Sequence, residues 1–165
     1  MIKIQQASDL SIPLIAPLAR TIWEEHYTPI IGKAQVDYML NQFQSVQAIV
    51  QQITQGMMYY LVYQNDVLCG YFAIKIEQKD LFISKFYLSA TTRGQGISRI
   101  MLAFIEQQAN ASACEQLSLT VNKDNSARKA YEKLGFSVQK SIKADIGEGY
   151  YMDDYVMVKP VSSSI

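Results

Sequence analysis

An α/β domain is predicted by two strand–turn–helix blocks and by a length that suits one hydrophobic core. The first block is the apolar run Leu81-Phe82-Ile83-Ser84-Lys85-Phe86-Tyr87-Leu88, then Arg93-Gly94-Gln95-Gly96-Ile97-Ser98 and an amphipathic segment. The second is Leu117-Ser118-Leu119-Thr120-Val121, then Asn122-Lys123-Asp124-Asn125, a helical pattern from about Ser126, and Gly135-Phe136. The chain has 165 residues, 49% apolar and 18% charged, with a formal net charge of zero. That is enough for a substantial core in a single domain over residues 1–160 with a polar tail at 161–165. The charge balance disfavours both disorder and a nucleic-acid partner.

Met1-Ile2-Lys3-Ile4-Gln5 alternates as a first strand, without the basic stretch and long apolar core of a signal peptide. Helical patterns follow over residues 11–27, 33–43 and 46–55. Strands are expected over 59–64 and 70–76, with Asn65-Asp66 and nearby Gly70 bending a hairpin, and a last strand over 151–159. In the first block Ile97, Ile100, Met101, Phe104 and Ile105 form the stripe of a helix packed on a sheet. In the second, Ala127, Ala130, Tyr131 and Leu134 share a face, and Gly135 is the helix stop. No apolar run reaches membrane-spanning length, so a protein of the cytoplasm with no membrane partner is expected. Cys69 and Cys114 lack CxxC spacing and are expected as buried small hydrophobes, with neither a disulfide nor a metal.

The turn at Arg93–Ser98 opens a helix. A helix start leaves about four backbone N–H groups without intrahelical partners and carries roughly half a positive charge, so it attracts phosphate. Gly94 and Gly96 permit positive φ and close backbone approach, and Arg93 adds a charged fork. An ordinary tight connection is the alternative. A Walker loop is excluded because no Gly-Lys-Ser/Thr follows, and a dinucleotide fingerprint because no third glycine does.

The pattern Arg/Gln-x-x-Gly-x-Gly/Ala after a strand, here Arg93 to Ser98, resembles the acyl-CoA pyrophosphate loop of the GNAT (Gcn5-related N-acetyltransferase) superfamily, with Ser98 departing from its last position. Strand, Asn125, helix with Tyr131 and Gly135-Phe136 is similar to that family's second signature. The resemblance implies a mixed, mostly antiparallel central sheet with flanking helices. It also implies a splayed strand pair, here 82–88 and 117–121, that receives acetyl-CoA. Phe86 and Leu88, with Tyr87 between them, are then expected to offer main-chain groups to the pantetheine arm. The amides of Gly94, Gln95, Gly96, Ile97 and Ser98 are expected to hold the pyrophosphate. Asn125 is expected either on the cofactor arm or as a helix N-cap, or both. Tyr131 is expected as general acid to the leaving thiolate, with simple packing as its alternative.

The resemblance further implies an acceptor amine, and a direct transfer without an acyl-enzyme, since neither cysteine resembles an activated nucleophile. A primary amine is mostly protonated at pH 7, so a proton acceptor is needed. Polyamine acetyltransferases of the superfamily carry a glutamate in the strand before the loop; Ser84 stands at that position here. Substitutes are His26, Glu24, Glu25 or a water chain, His26 being the sole histidine. Trp23, Glu25 and Tyr27 at one point of the chain, and Asp153 and Asp154 within Tyr150-Tyr151-Met152-Asp153-Asp154-Tyr155 at another, offer aromatics and carboxylates for a cation. Each group also reads more plainly, as a helix end and as a solvated strand entrance. Both segments look like those of bacterial proteins grouped loosely with spermidine and diamine acetyltransferases. The expected acceptor is a small polyamine-like amine; a protein acceptor and a noncatalytic acyl-CoA sensor are the alternatives. A homodimer through sheet edges is implied by the family alone.

Overall fold

The computed structural model describes residues 1–161, so the expected polar tail lies, from residue 162 on, outside the described residues. The elements run β1 (Ile2–Gln6), a 3-10 turn (Ile12–Leu14), α1 (Ile15–Ile31), α2 (Lys33–Phe43), α3 (Val46–Thr54), β2 (Met58–Gln64), β3 (Val67–Glu77), β4 (Asp80–Leu88), a second 3-10 turn (Ala90–Thr92), α4 (Ile97–Ala111), β5 (Gln116–Asn122), α5 (Ala127–Lys133), β6 (Ser137–Gly147) and β7 (Tyr150–Pro160). The strands form one seven-stranded sheet in the order β1-β2-β3-β4-β5-β7-β6. The pairs β1–β2, β2–β3, β5–β7 and β6–β7 are antiparallel, and β4–β5 is parallel. This is the mixed α/β sheet that the sequence predicts. The chain groups into two compact units, one of residues 1–75 and 85–102, the other of 76–84 and 103–165.

In the first unit, helix α1 starts four residues later and ends four residues beyond the expected range, carrying Pro29 inside it. Pro29 gives no N–H to Glu25 O and its ring crowds that carbonyl, and the helix runs on for only two residues beyond it. Gly32, at φ +85°, closes that end by donating its N–H to Thr28 O at 2.9 Å. His26 therefore lies inside the helix rather than in its last turn. The core gathers Ile15, Ala19, Ile22, Tyr59, Leu61, Tyr71, Phe72 and Ile74, all at 1% exposure or less. Asn65 (φ 48°) and Asp66 (φ 65°) both adopt left-handed backbone between the paired residues Gln64 and Val67. The hairpin bend is thus a two-residue turn made without glycine, and Gly70 lies inside the strand. Asn and Asp tolerate that conformation better than other non-glycine residues. A bulge between Val62 and Tyr63 sets Tyr63 opposite Leu68 and Val62 opposite Gly70, leaving Cys69 as the extra residue. On α4, Ile97 and Met101 are buried, whereas Ile100 is 45% exposed; Leu102 is buried in its place.

In the second unit, β5 pairs with the first half of β4, from Asp80–Gln116 to Ile83–Leu119. Its other side pairs with β7 from Gln116–Pro160 to Asn122–Asp154. Leu117, Leu119, Val121 and Met157 are buried there together with Ile105 and Ala109 of α4. Ala130 does not join the inner face of α5: it is exposed, while Ala127, Tyr131 and Leu134 are half-buried. Both cysteines are buried, as expected.

Candidate active site

In the first unit the segment after β4 is fixed by short-range bonds. Ser89 N–H donates to Cys69 O at 2.8 Å, and Ser89 O accepts from Thr92 N–H at 3.1 Å and Thr92 Oγ1 at 3.0 Å. Arg93 Nη2 folds back to Leu88 O at 3.1 Å. Gln95 Nε2 donates to Thr91 O at 3.3 Å, and Gln95 Oε1 accepts from Gln64 Nε2 at 2.7 Å. The Gln95 side chain therefore holds the turn, leaving its backbone N–H for a ligand. Gly94 and Gly96 sit at φ +78° and +79°, and a Cβ on either would meet nothing within 4 Å. Left-handed backbone explains why glycine stands at both positions, and the open space over them is where an anion has room. Ile97, 2% exposed, pins the helix start to the core, and Ser98 beside it is half-buried. The amides that open α4 have no intrahelical carbonyl to bond, and their dipole favours negative charge. The donor set therefore fits the pyrophosphate of a coenzyme A.

Along α1, Trp23 and Tyr27 turn inward onto Tyr87 of β4. Ring centroids are 4.4 Å apart for Trp23–Tyr27, 5.9 Å for Trp23–Tyr87 and 6.4 Å for Tyr27–Tyr87. Tyr71 packs against Tyr87 at 5.4 Å, and His26 meets Tyr27 edge-on at 4.8 Å. Trp23 Nε1 is buried. The expected aromatic group thus exists, with Tyr87 added to it. Glu24 instead faces outward and pairs with Arg20 at 3.0 Å, and Glu25 is exposed. Ser84 is half-buried and brings no carboxylate to β4.

The neighbour of Ser84 carries a feature that sequence reasoning missed. Leu81, Ile83 and Lys85 alternate inward along β4, and Lys85 is 5% exposed. Its ammonium donates to Phe43 O at the end of α2, to Gln52 Oε1 of α3 at 3.0 Å, and to the Tyr59 hydroxyl of β2. Three acceptors match the three donors of an ammonium. Burial nevertheless lowers the Lys85 pKa to about 7, because no carboxylate joins the group. Gln52 Nε2 also donates to Phe43 O, and Tyr71 hydroxyl to Gln44 Oε1, so the α2–α3 corner is tied to the sheet by a buried polar network. The inward alternation Leu81-Ile83-Lys85 is the sequence signal that would have found it.

In the second unit Asn125 is 5% exposed, and its Oδ1 accepts from Ala127 N–H at 2.9 Å. It caps the start of α5 in place of Ser126, whose side chain makes no cap bond. Tyr131 is half-buried and packs edge-on against Phe136 at 5.9 Å. Gly135, at φ +103°, lets Phe136 N–H reach back to Tyr131 O at 3.0 Å. This helix end satisfies a terminal carbonyl and brings a buried phenylalanine against the tyrosine ring. The Gly-Phe signature therefore fixes where Tyr131 stands.

The two acids of β7 separate. Asp153 pairs with Lys123 at 3.0 Å on the surface. Asp154 is no part of a solvated strand entrance: it is 4% exposed, in register with Asn122 on one side and Ile142 on the other. Burial raises its pKa to about 6; the neighbouring Asp153 charge adds to the rise and Lys123 opposes it. Lys123 and Arg128 both lie over the Tyr155 ring, at 5.6 and 5.2 Å.

Comparison with known proteins identifies the family and the fold. The family model described as the acetyltransferase (GNAT) domain matches residues 27–147. No curated protein matches the chain by sequence. Among solved structures, the PaiA N-acetyltransferase of Thermoplasma acidophilum in complex with coenzyme A is similar, with a TM-score of 0.83 and 19% identity over 97% of this chain and 99% of that one. A GCN5-related N-acetyltransferase of Rhodopseudomonas palustris follows, with a TM-score of 0.81 and 13% identity over 96% and 94%. The ribosomal-protein-S18-alanine N-acetyltransferase of Escherichia coli shares a TM-score of 0.70 and 16% identity over 99% and 96%. These likenesses show the fold, and none selects an acceptor. With the family model covering well over half of the chain, the protein belongs to the GNAT family and is an N-acetyltransferase that uses acetyl-CoA.

Proposed function

We propose that the protein transfers the acetyl group of acetyl-CoA to the primary amine of a small, polyamine-like cation, by direct attack of that amine on the thioester. The coenzyme half rests on one observation above all, the turn between β4 and α4 whose two left-handed glycines leave open space before a helix start. The acceptor half is supported by the aromatic faces of Trp23, Tyr27 and Tyr87, which suit a cation. Residues 1–160 are read as one domain, because the family model runs through both compact units. Residence in the cytoplasm and a homodimer through a sheet edge belong to the same reading. No helix among the described residues is long and apolar enough to cross a membrane.

Acetyl-CoA supplies an activated thioester when bound; the chain binds, aligns and moves protons. The amides from Gly94 to Ser98 hold the pyrophosphate, with Arg93 beside them. Main-chain groups of Phe86 and Leu88 align the pantetheine arm, and Asn125 adds a contact while capping α5. Tyr131 donates its phenolic proton to the departing sulfur, its ring held in place by Gly135-Phe136. Neutralising an alkylammonium at pH 7 costs roughly 4 to 5 kcal/mol, so its proton needs an acceptor. His26, on the same helix as Trp23 and Tyr27, is that acceptor in this reading, because Glu24 is engaged by Arg20.

The test is acetyl-CoA-dependent thiol release across polyamines, amino acids, aminoglycosides and short peptides. One amine class turns over, and Tyr131→Phe lowers kcat by about 100-fold or more while coenzyme affinity persists. Undiminished turnover in Tyr131→Phe removes the tyrosine from the chemistry. Turnover with peptides alone makes the acceptor a protein.

A further inference from the structure

We propose that Gly70 of β3 is a positioning residue for coenzyme binding: its missing side chain forms a notch that seats the end of β4 and thereby sets the glycine turn. The inference rests on the reading of Phe86, Leu88 and residues 94–98 as the acetyl-CoA site.

Gly70 differs from the two glycines of the turn. It does not adopt positive φ, so its backbone conformation makes no demand for glycine. Space does. A Cβ at Gly70 would lie 2.6 Å from Tyr87 O, 2.7 Å from Leu88 Cδ2 and 3.5 Å from Leu88 Cα. A leucine methyl can rotate away, but a strand carbonyl moves only with its strand. Any side chain at residue 70 therefore pushes the Tyr87–Leu88 main chain outward, at the residues assigned to the pantetheine arm.

The notch has a second half. The bulge that makes Cys69 the extra residue of β3 goes with a Cys69 carbonyl that bonds outside the β2–β3 ladder, accepting the Ser89 N–H at 2.8 Å. Ser89 O in turn accepts both Thr92 bonds that form the 3-10 turn leading to Arg93. Gln64, at the end of β2, grips Gln95 within the glycine turn itself at 2.7 Å. The tip of the β2–β3 hairpin thus holds the coenzyme segment at Tyr87–Ser89 and again at Gln95. Displacements near an ångström at groups that position a substrate are costly in function even when the fold survives.

Two substitutions test the two halves. Gly70→Ala raises the Kd for coenzyme A, measured by calorimetry with the coenzyme itself, by about 10-fold or more. The kcat at saturating acetyl-CoA and saturating amine stays within about threefold, and the thermal transition stays cooperative. Ser89→Pro deletes the N–H given to Cys69 and, with the side chain, the hydroxyl contacts to Thr91 and Thr92, while keeping the backbone, because Ser89 already sits at φ −63°, which proline adopts. It weakens coenzyme binding in the same way, whereas Ser89→Ala, which keeps the N–H, does not; this pair decides the matter if Gly70→Ala fails to fold. Gly149→Ala, strained at φ +78° in the β6–β7 turn, lowers stability without changing the Kd. Wild-type affinity in both Gly70→Ala and Ser89→Pro overturns the inference. If Gly96→Ala also leaves the Kd unchanged, it is the coenzyme site that has been misplaced, and the two failures remain distinct.

Discussion

Two of the protein's long antiparallel hairpins use the same devices for different ends. The β2–β3 hairpin turns on Asn65-Asp66 in left-handed backbone and carries one bulge; the β6–β7 hairpin turns through Gly147, Glu148 and Gly149, all at positive φ, and carries two. From Cys69 to Ile74 β3 is buried at every residue, whereas β6 buries none of its residues. In the first hairpin the bulge goes with a carbonyl that holds the Ser89 N–H, just beyond the end of β4. In the second, bulges bend an exposed edge, which discourages other strands from adding to it. Pairing and length therefore say little about what a hairpin does. The groups that its irregularities release decide it.

The contrast is sharpest in stability. Leu61→Ala in β2, at a fully buried residue, is expected to cost about 2 to 5 kcal/mol in urea unfolding, from lost burial and an imperfectly closed cavity. A loss under 1 kcal/mol would mean that the first hairpin is not the rigid platform its burial suggests.

An intermediate effect is expected at Asp154, the buried acid of the second hairpin. Its folded pKa near 6 stands above the ordinary carboxyl value of about 3.9, so the fold holds a proton that the unfolded chain releases. The group's favourable contribution is complete below about pH 4, is lost as pH rises toward 6, and stays lost above. Asp154→Asn should therefore match the wild type at pH 4 and exceed it by about 1 to 3 kcal/mol at pH 8. Melting curves with a pH-independent difference would show that the carboxyl is not held neutral. The smallest effect belongs to the exposed edge: Lys140→Ala should change stability by no more than about 0.5 kcal/mol, and a larger loss would reveal a role that exposure conceals.

Period-2 alternation and helical stripes made nearly every element legible in the sequence, because they record burial on one face. The turn at Gly94-Gln95-Gly96 was legible because left-handed backbone beside a helix start selects glycine twice within three residues. Tyr131 with Gly135-Phe136 was legible as a unit because one helix-end geometry joins them. Lys85 was not, since a strand pattern marks the inward position and cannot supply Phe43 O, Gln52 and Tyr59 from other elements. Gly70 was read as opening its strand beside the hairpin bend, because a glycine needed for a neighbour's approach looks the same in sequence as one needed for its own φ. The end of α1 was misjudged at Pro29, since proline's missing N–H and its ring against the preceding turn mark a helix end, whereas α1 continues to Ile31.

Cys69 and Cys114 are sealed at 2% and 7% exposure, and burial pushes both thiols upward, away from the thiolate form. The folded protein is thus nearly silent toward disulfide-exchange reagents, which attack thiolates. A chromogenic disulfide added during turnover reports the coenzyme's liberated sulfhydryl against a flat background. The same reagent, without coenzyme, becomes a clock for the opening of the fold.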